Sequence, residues 1–138
     1  MCTRVYIEDT DAGGVVFYAN YLRFMERART EALRSCGISL SDLQDQQRRL
    51  FVVRSVQADY LAPARLDDEL TVFANMTAIK RASFVCQQPI LRDGHTLVDA
   101  SVTLACIDAD TGRAVRIPES VFAALQQTAD SRPLSGKH

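Results

Sequence analysis

The chain has 138 residues, 16 Lys+Arg against 17 Asp+Glu, and a formal charge of −1, a length that suits one domain with a real core and is too short for two. Neither half carries a long block of one sign, which argues against nucleic acid or a charged membrane surface as a partner. No apolar run approaches the roughly 18 residues of a membrane span.

Residues 3–7, TRVYI, alternate as a short strand and lead into EDTDAGG, where Glu8, Asp9 and Asp11 stand just ahead of Gly13 and Gly14. Over NYLRFMERARTEALRSCG, the residues Tyr21, Leu22, Phe24, Met25, Ala28, Ala32, Leu33 and Cys36 recur at helical spacing. Asn20 is the expected N-cap and Gly37 the expected stop, bounding a helix of about four to five turns. Glu26 near its start and Arg27, Arg29 and Arg34 toward its end follow the distribution that the helix dipole favours. SLSDLQDQQ predicts a short helix or turn.

The period then changes. LFVVRSVQADYL reads as a strand ended by Pro63, and ELTVFANMTAI as another after the turn-like RLDD. SFVCQQPILR reads as a third after the Lys80-Arg81 corner, with Pro89 marking a bulge or an edge. Asp93-Gly94 is the clearest hairpin signal. Val98, Ala100, Val102, Leu104 and Cys106 alternate with Asp99, Ser101, Thr103 and Ala105, a strand with one apolar face. RAVRI is expected as a last short strand, and Pro118 as the first turn of a small helix ending near Gln127. Residues 1–127 form the expected domain and 128–138 an expected disordered tail. Strand, long helix, then strands joined by short turns predict an α+β fold, an antiparallel sheet of about five strands packed on one helix.

Cys2, Cys36, Cys86 and Cys106 form no CxxC pair, and no signal segment precedes them, so they read as reduced packing thiols of a cytoplasmic protein. His95 and His138 are the only histidines, and neither zinc nor a redox cofactor is expected.

The acidic loop allows several readings. Asp9, Thr10 and Asp11 can form a hydrogen-bonded turn with glycines at positive φ. A calcium loop counted from Asp9 puts Gly13 fifth and Asn20 twelfth, where oxygen ligands are needed, and fails. A phosphoaspartyl nucleophile loop, apolar strand then Asp-x-Asp-x-Thr, has Gly13 in place of the Thr, and the remaining strands suit an antiparallel sheet instead of a parallel one.

Residues 4–34, RVYIEDTDAGGVVFYANYLRFMERARTEALR, resemble the signature of the 4-hydroxybenzoyl-CoA-thioesterase-like branch of the hotdog fold. Within that branch they are most similar to the acyl-CoA thioesterases associated with the Tol-Pal system. FVVRSVQADYLAPARLDDEL is similar to the strand pair that follows, so the resemblance extends over residues 4–125. It implies an antiparallel sheet wrapped around one long helix, dimerised through the sheets and often assembled as a tetramer, with an acyl-CoA substrate. The catalytic carboxylate of the family maps onto Asp11, and its oxyanion donor onto the backbone N–H of Tyr18. Gly13 and Gly14 then permit close approach, and Lys80, Arg81 and Ser83 stand where family members hold CoA. Tol-Pal-associated relatives often carry a His where this chain has Tyr18.

Thioester hydrolysis needs an oxygen nucleophile, or a base for water, and a group to stabilise the oxyanion. A carboxylate serves in either of the first two roles, and the sequence leaves both open. The unpaired N–H groups of a helix start suit the third. Asp9 is expected to cap the turn or pair with an Arg, the Tyr18 side chain to pack or line an acyl tunnel, and Glu26, Arg27 and Glu31 to form a helix ion-pair set, or a Glu of this helix to contact substrate. Lys80, Arg81 and Ser83 also fit a solvated hairpin tip. A hydroxyacyl dehydratase is disfavoured because the long helix has no His. The alternative from another class is a non-catalytic acyl-thioester binder or scaffold that docks acyl carrier protein.

Overall fold

The computed structural model describes residues 1–131. The chain runs β1 (Cys2–Arg4), a 3-10 turn (Ile7–Asp9), α1 (Tyr18–Ser35), α2 (Leu40–Gln47), β2 (Arg49–Tyr60), β3 (Glu69–Val72), β4 (Asn75–Thr77), β5 (Ser83–Gln87), β6 (Ile90–Arg92), β7 (His95–Asp108) and α3 (Glu119–Ser131). All strand pairs are antiparallel, in the order β1-β3-β6-β7-β5-β4, with β2 paired to the other side of β7. The expected count of about five becomes seven because two of the predicted strands are each broken once. One breaks at Phe73-Ala74, between β3 and β4. The other breaks at Gln88-Pro89, between β5 and β6, where proline has no N–H for the ladder.

The Asp93-Gly94 hairpin is present. Arg92 pairs with His95, and both turn residues have positive φ, 52° and 79°, the handedness that matches strand twist. β7 carries the core face that its alternation predicts, with Val98, Ala100, Val102, Leu104 and Cys106 all buried. The buried stripe of α1, Tyr21, Phe24, Met25, Ala28 and Leu33, joins those residues in one cluster. Burial of whole side chains of this size stabilises the fold by about 1.5–3 kcal/mol each.

Inside that core lies a polar pin. Gln88, wholly buried at the break before Pro89, accepts from Arg29 Nη1 at 2.9 Å and donates to the Met25 carbonyl at 2.9 Å and the Phe73 carbonyl at 3.3 Å. It ties α1 to both interrupted strands. Arg29, read from sequence as a dipole-matched cation near the helix end, is instead buried. Burial lowers its pKa from the usual value, an effect that Cys86 and Glu26 partly oppose.

Several expected boundaries shift. TRVYI contributes only β1, through Arg4, before the chain turns. RAVRI makes a single bridge, Ile107 to Ala114, in place of a strand. Pro118 directly precedes α3, and that helix passes Gln127 to reach Ser131. The rest of the expected tail lies outside the described residues. The helix ion pair is Glu31–Arg34, not the expected set of Glu26, Arg27 and Glu31. No helix among the described residues is long and apolar enough to cross a membrane.

Candidate active site

The acidic loop folds as a small hairpin that delivers the chain into α1. Thr10 pairs with Val16, the Asp11 N–H donates to the Val15 carbonyl at 2.9 Å, and the Gly14 N–H closes the turn on the Asp11 carbonyl at 3.1 Å. Gly14 has φ +79°, a conformation that costs a side-chain-bearing residue about 1–2 kcal/mol. The hairpin is sewn to the rest of the fold by the Val16 N–H on the Ala64 carbonyl at 2.8 Å and the Leu66 N–H on the Gly14 carbonyl at 3.2 Å.

Within it the two aspartates have different surroundings. Asp9 is buried, 5% exposed. One of its oxygens accepts from the Tyr6 N–H at 2.9 Å and the other from Arg23 Nη2 at 3.2 Å. Its carbonyl accepts from Asn20 Nδ2 at 2.8 Å and the Phe17 N–H at 3.2 Å. Asp9 therefore pairs with an Arg and caps its turn, as expected. Asp11 is exposed, and its Oδ1 accepts from the Gly13 N–H at 2.8 Å. Among the described residues nothing bonds its Oδ2. A methyl group on Gly13 would stand 3.3 Å from Oδ1, so the absence of a side chain there gives the carboxylate its place.

α1 starts two residues earlier than the expected cap. Phe17 occupies the N-cap position and provides no side-chain acceptor. Asn20 cannot cap because it sits inside the first turn and its amide is engaged by the Asp9 carbonyl. The Tyr18 N–H is thus a helix-start donor that no described residue accepts from, at the positive end of an 18-residue helix. The structure brings Asp11, Gly13, Gly14 and Tyr18 together on this one hairpin-to-helix junction.

Tyr18 is 64% exposed, and its ring stacks on Phe17, 5.8 Å away, and meets Tyr60 on β2 at a tilt of 32°, 5.3 Å away. Four and eight residues on, Leu22 and Glu26 continue the same helix face. That face and β2 border a cleft of about 290 Å³ walled by Leu22, Val53, Val56 and Val102, with Arg23, Glu26 and Arg29 along it. Lys80, Arg81 and Ser83 are not part of this group. They form the corner between β4 and β5, where the interrupted strand begun by β3 turns back, with the Lys80 N–H on the Ser83 carbonyl and the Ile117 N–H on the Arg81 carbonyl, both at 2.8 Å.

Three residues of this region were invisible to pattern reading. Arg23 reads as an exposed helical cation until Asp9 is seen beneath it. Tyr60 reads as a strand terminus. Gln88 had one signal, a Gln doublet ahead of a proline in an otherwise apolar strand.

Residues 5–125 match the thioesterase-like superfamily. The chain is 43% identical over 122 residues to the acyl-CoA thioesterase YbgC of Haemophilus influenzae, covering 88% of this chain and 90% of that protein. A probable thioesterase from Bartonella henselae has a TM-score of 0.81 at 36% identity, covering 86% of this chain and 97% of the other. A gentisyl-coenzyme A thioesterase, BH1999, has a TM-score of 0.82 at 26% identity, covering 91% and 98%. These neighbours share the antiparallel sheet and long helix of the hotdog fold. With nearly its whole folded length matched, the chain belongs to the thioesterase-like superfamily.

Proposed function

We propose that the chain hydrolyses acyl-CoA thioesters to free acid and CoA, with Asp11 as the reacting carboxylate and the Tyr18 N–H as oxyanion donor. The observation that carries this reading is the junction itself. One carboxylate, held at Oδ1 and open at Oδ2, is carried by the same short hairpin that opens into an uncapped helix start. In one route Asp11 attacks the thioester carbonyl, the C–S bond breaks, CoA leaves as the thiolate and takes up a proton, and water hydrolyses the acyl-aspartyl anhydride. In the other Asp11 takes a proton from water as that water attacks. Both pass through a tetrahedral oxyanion, which the Tyr18 N–H receives. Removing one such donor typically costs about 10²–10³ in rate.

The acyl group is assigned to the cleft along α1, where Leu22, Val53, Val56 and Val102 give it an apolar side beside the charged Arg23, Glu26 and Arg29. Lys80, Arg81 and Ser83 are assigned to CoA, its phosphates suiting the two exposed cations. In this proposal the β4–β5 corner of another copy serves each Asp11 loop. A homodimer or homotetramer is part of the proposal, supported by β2, whose long outer edge has no strand partner among the described residues. A cytoplasmic location and the Tol-Pal link of the resembling group rest on the resemblance alone. Thiol release from short, long and aromatic acyl-CoAs tests the reading. Turnover of any class supports it and names the acyl preference. Saturable binding without thiol release supports the non-catalytic acyl carrier protein reading instead.

A further inference from the structure

We propose that Asp9 and Arg23 are a positioning pair that holds the Asp11 carboxylate in register with the start of α1; this rests on the catalytic reading of Asp11. Asp9 bonds to both sides of the junction through its carboxylate and its carbonyl. Its carboxylate grips the incoming chain through the Tyr6 N–H at 2.9 Å and the second turn of α1 through Arg23 Nη2 at 3.2 Å. Its carbonyl grips the first turn through Asn20 Nδ2 at 2.8 Å and the residue before the helix through the Phe17 N–H at 3.2 Å. Asp11 lies two residues further on, and Tyr18 follows Phe17 directly. Any movement of Asp9 relative to α1 therefore moves the carboxylate relative to the Tyr18 N–H.

The pair is asymmetric. The Asp9 side chain is 7% exposed and the Arg23 side chain 47%. A carboxylate so far from water needs its charge matched, and Arg23 is the only described cation within ion-pair distance of it. Arg23 itself stays solvated, so its loss removes the tether while the core stays packed. Among the described residues the exposed Asp11 has no such cation, so the two acids divide the work: one is fastened, the other is left open to substrate.

The test measures kcat and KM for wild type, Asp9→Asn, Arg23→Gln, the double variant, Arg23→Lys and Asp11→Asn, at a temperature where circular dichroism shows each one folded. Asp9→Asn keeps an oxygen for the Tyr6 N–H and loses the charge. A displacement of about 1 Å at a reacting group costs roughly 10²-fold, and Asp9→Asn is expected to lower kcat by about 10- to 100-fold. KM should change less than about 3-fold. Arg23→Gln is expected to lower kcat in the same sense, with Arg23→Lys restoring most of it. The double variant should be no worse than Asp9→Asn, because the two act as one unit. If Asp9→Asn does not fold, Arg23→Gln and its rescue by lysine decide the matter. If both single variants keep wild-type kcat while Asp11→Asn is inactive, the positioning pair is overturned and the catalytic reading stands. If Asp11→Asn keeps wild-type activity, both are overturned.

Discussion

A methyl group added to Gly13 would sit 3.3 Å from Asp11 Oδ1, whereas one added to Gly14 would meet nothing within 4 Å but would have to bear a φ of +79°. The two neighbouring glycines therefore fail in different ways. Gly13→Ala is expected to displace the carboxylate by a few tenths of an ångström and lower kcat several-fold, with little change in stability. Gly14→Ala is expected to cost about 1–2 kcal/mol through backbone strain, read as a lower urea midpoint. A stopped assay and a denaturation curve on both variants separate these outcomes. At this scale the sequence spoke clearly about residue types. The resemblance of residues 4–34 to a known family singled out Asp11, Gly13 and Gly14, and the structure gathers them with Tyr18 on one junction. It could not show that Asp9 is buried and Asp11 exposed, because that difference comes from Arg23, fourteen residues away from Asp9 in the chain, folding back over the first acid.

Elements were legible where local chemistry decides and illegible where tertiary contacts do. The two-residue hairpin at Asp93-Gly94, the alternation of β7 and the α1 stripe follow from turn preference and periodicity alone. The start of α1 does not: Asn20 has the chemistry of a cap, but the chain enters the helix through the pairing of Thr10 with Val16, which moves the start to Tyr18. Gln88 is a second case. Replacing it by Leu would leave the buried Arg29 guanidinium and the Met25 carbonyl without the bonds it provides, an expected loss of about 1–3 kcal/mol per unsatisfied group, measurable by chemical denaturation. A third contact joins the chain leading into β3 to β6. Burial pushes the Asp68 carboxyl up, but hydrogen bonds from the Arg65 N–H and the Arg92 guanidinium outweigh it and leave the pKa below the usual 3.8. A depressed carboxylate stabilises the fold above its unfolded pKa and loses that contribution as pH falls through the folded value. The urea midpoint of the wild type should exceed that of Asp68→Asn at neutral pH, and the gap should close below about pH 4.

For the whole molecule, the decisive surface is β2. It spends one edge on β7 along nearly its whole length and, among the described residues, leaves the other without a strand partner, with Val53 49% and Val56 38% exposed. Long apolar edges of this kind pair with another strand or invite aggregation. The proposed assembly of copies through this edge predicts that Val56→Asp shifts the protein to monomer in sedimentation. An unchanged mass for that variant would contradict the proposed edge. The central claim concerns one carboxylate, and steady-state thiol release by wild type and Asp11→Asn, both shown folded, tests it most directly. The account predicts turnover of an acyl-CoA by the wild type and a loss of at least about 10³-fold in the variant. A variant that hydrolyses the same ester at the wild-type rate would contradict it.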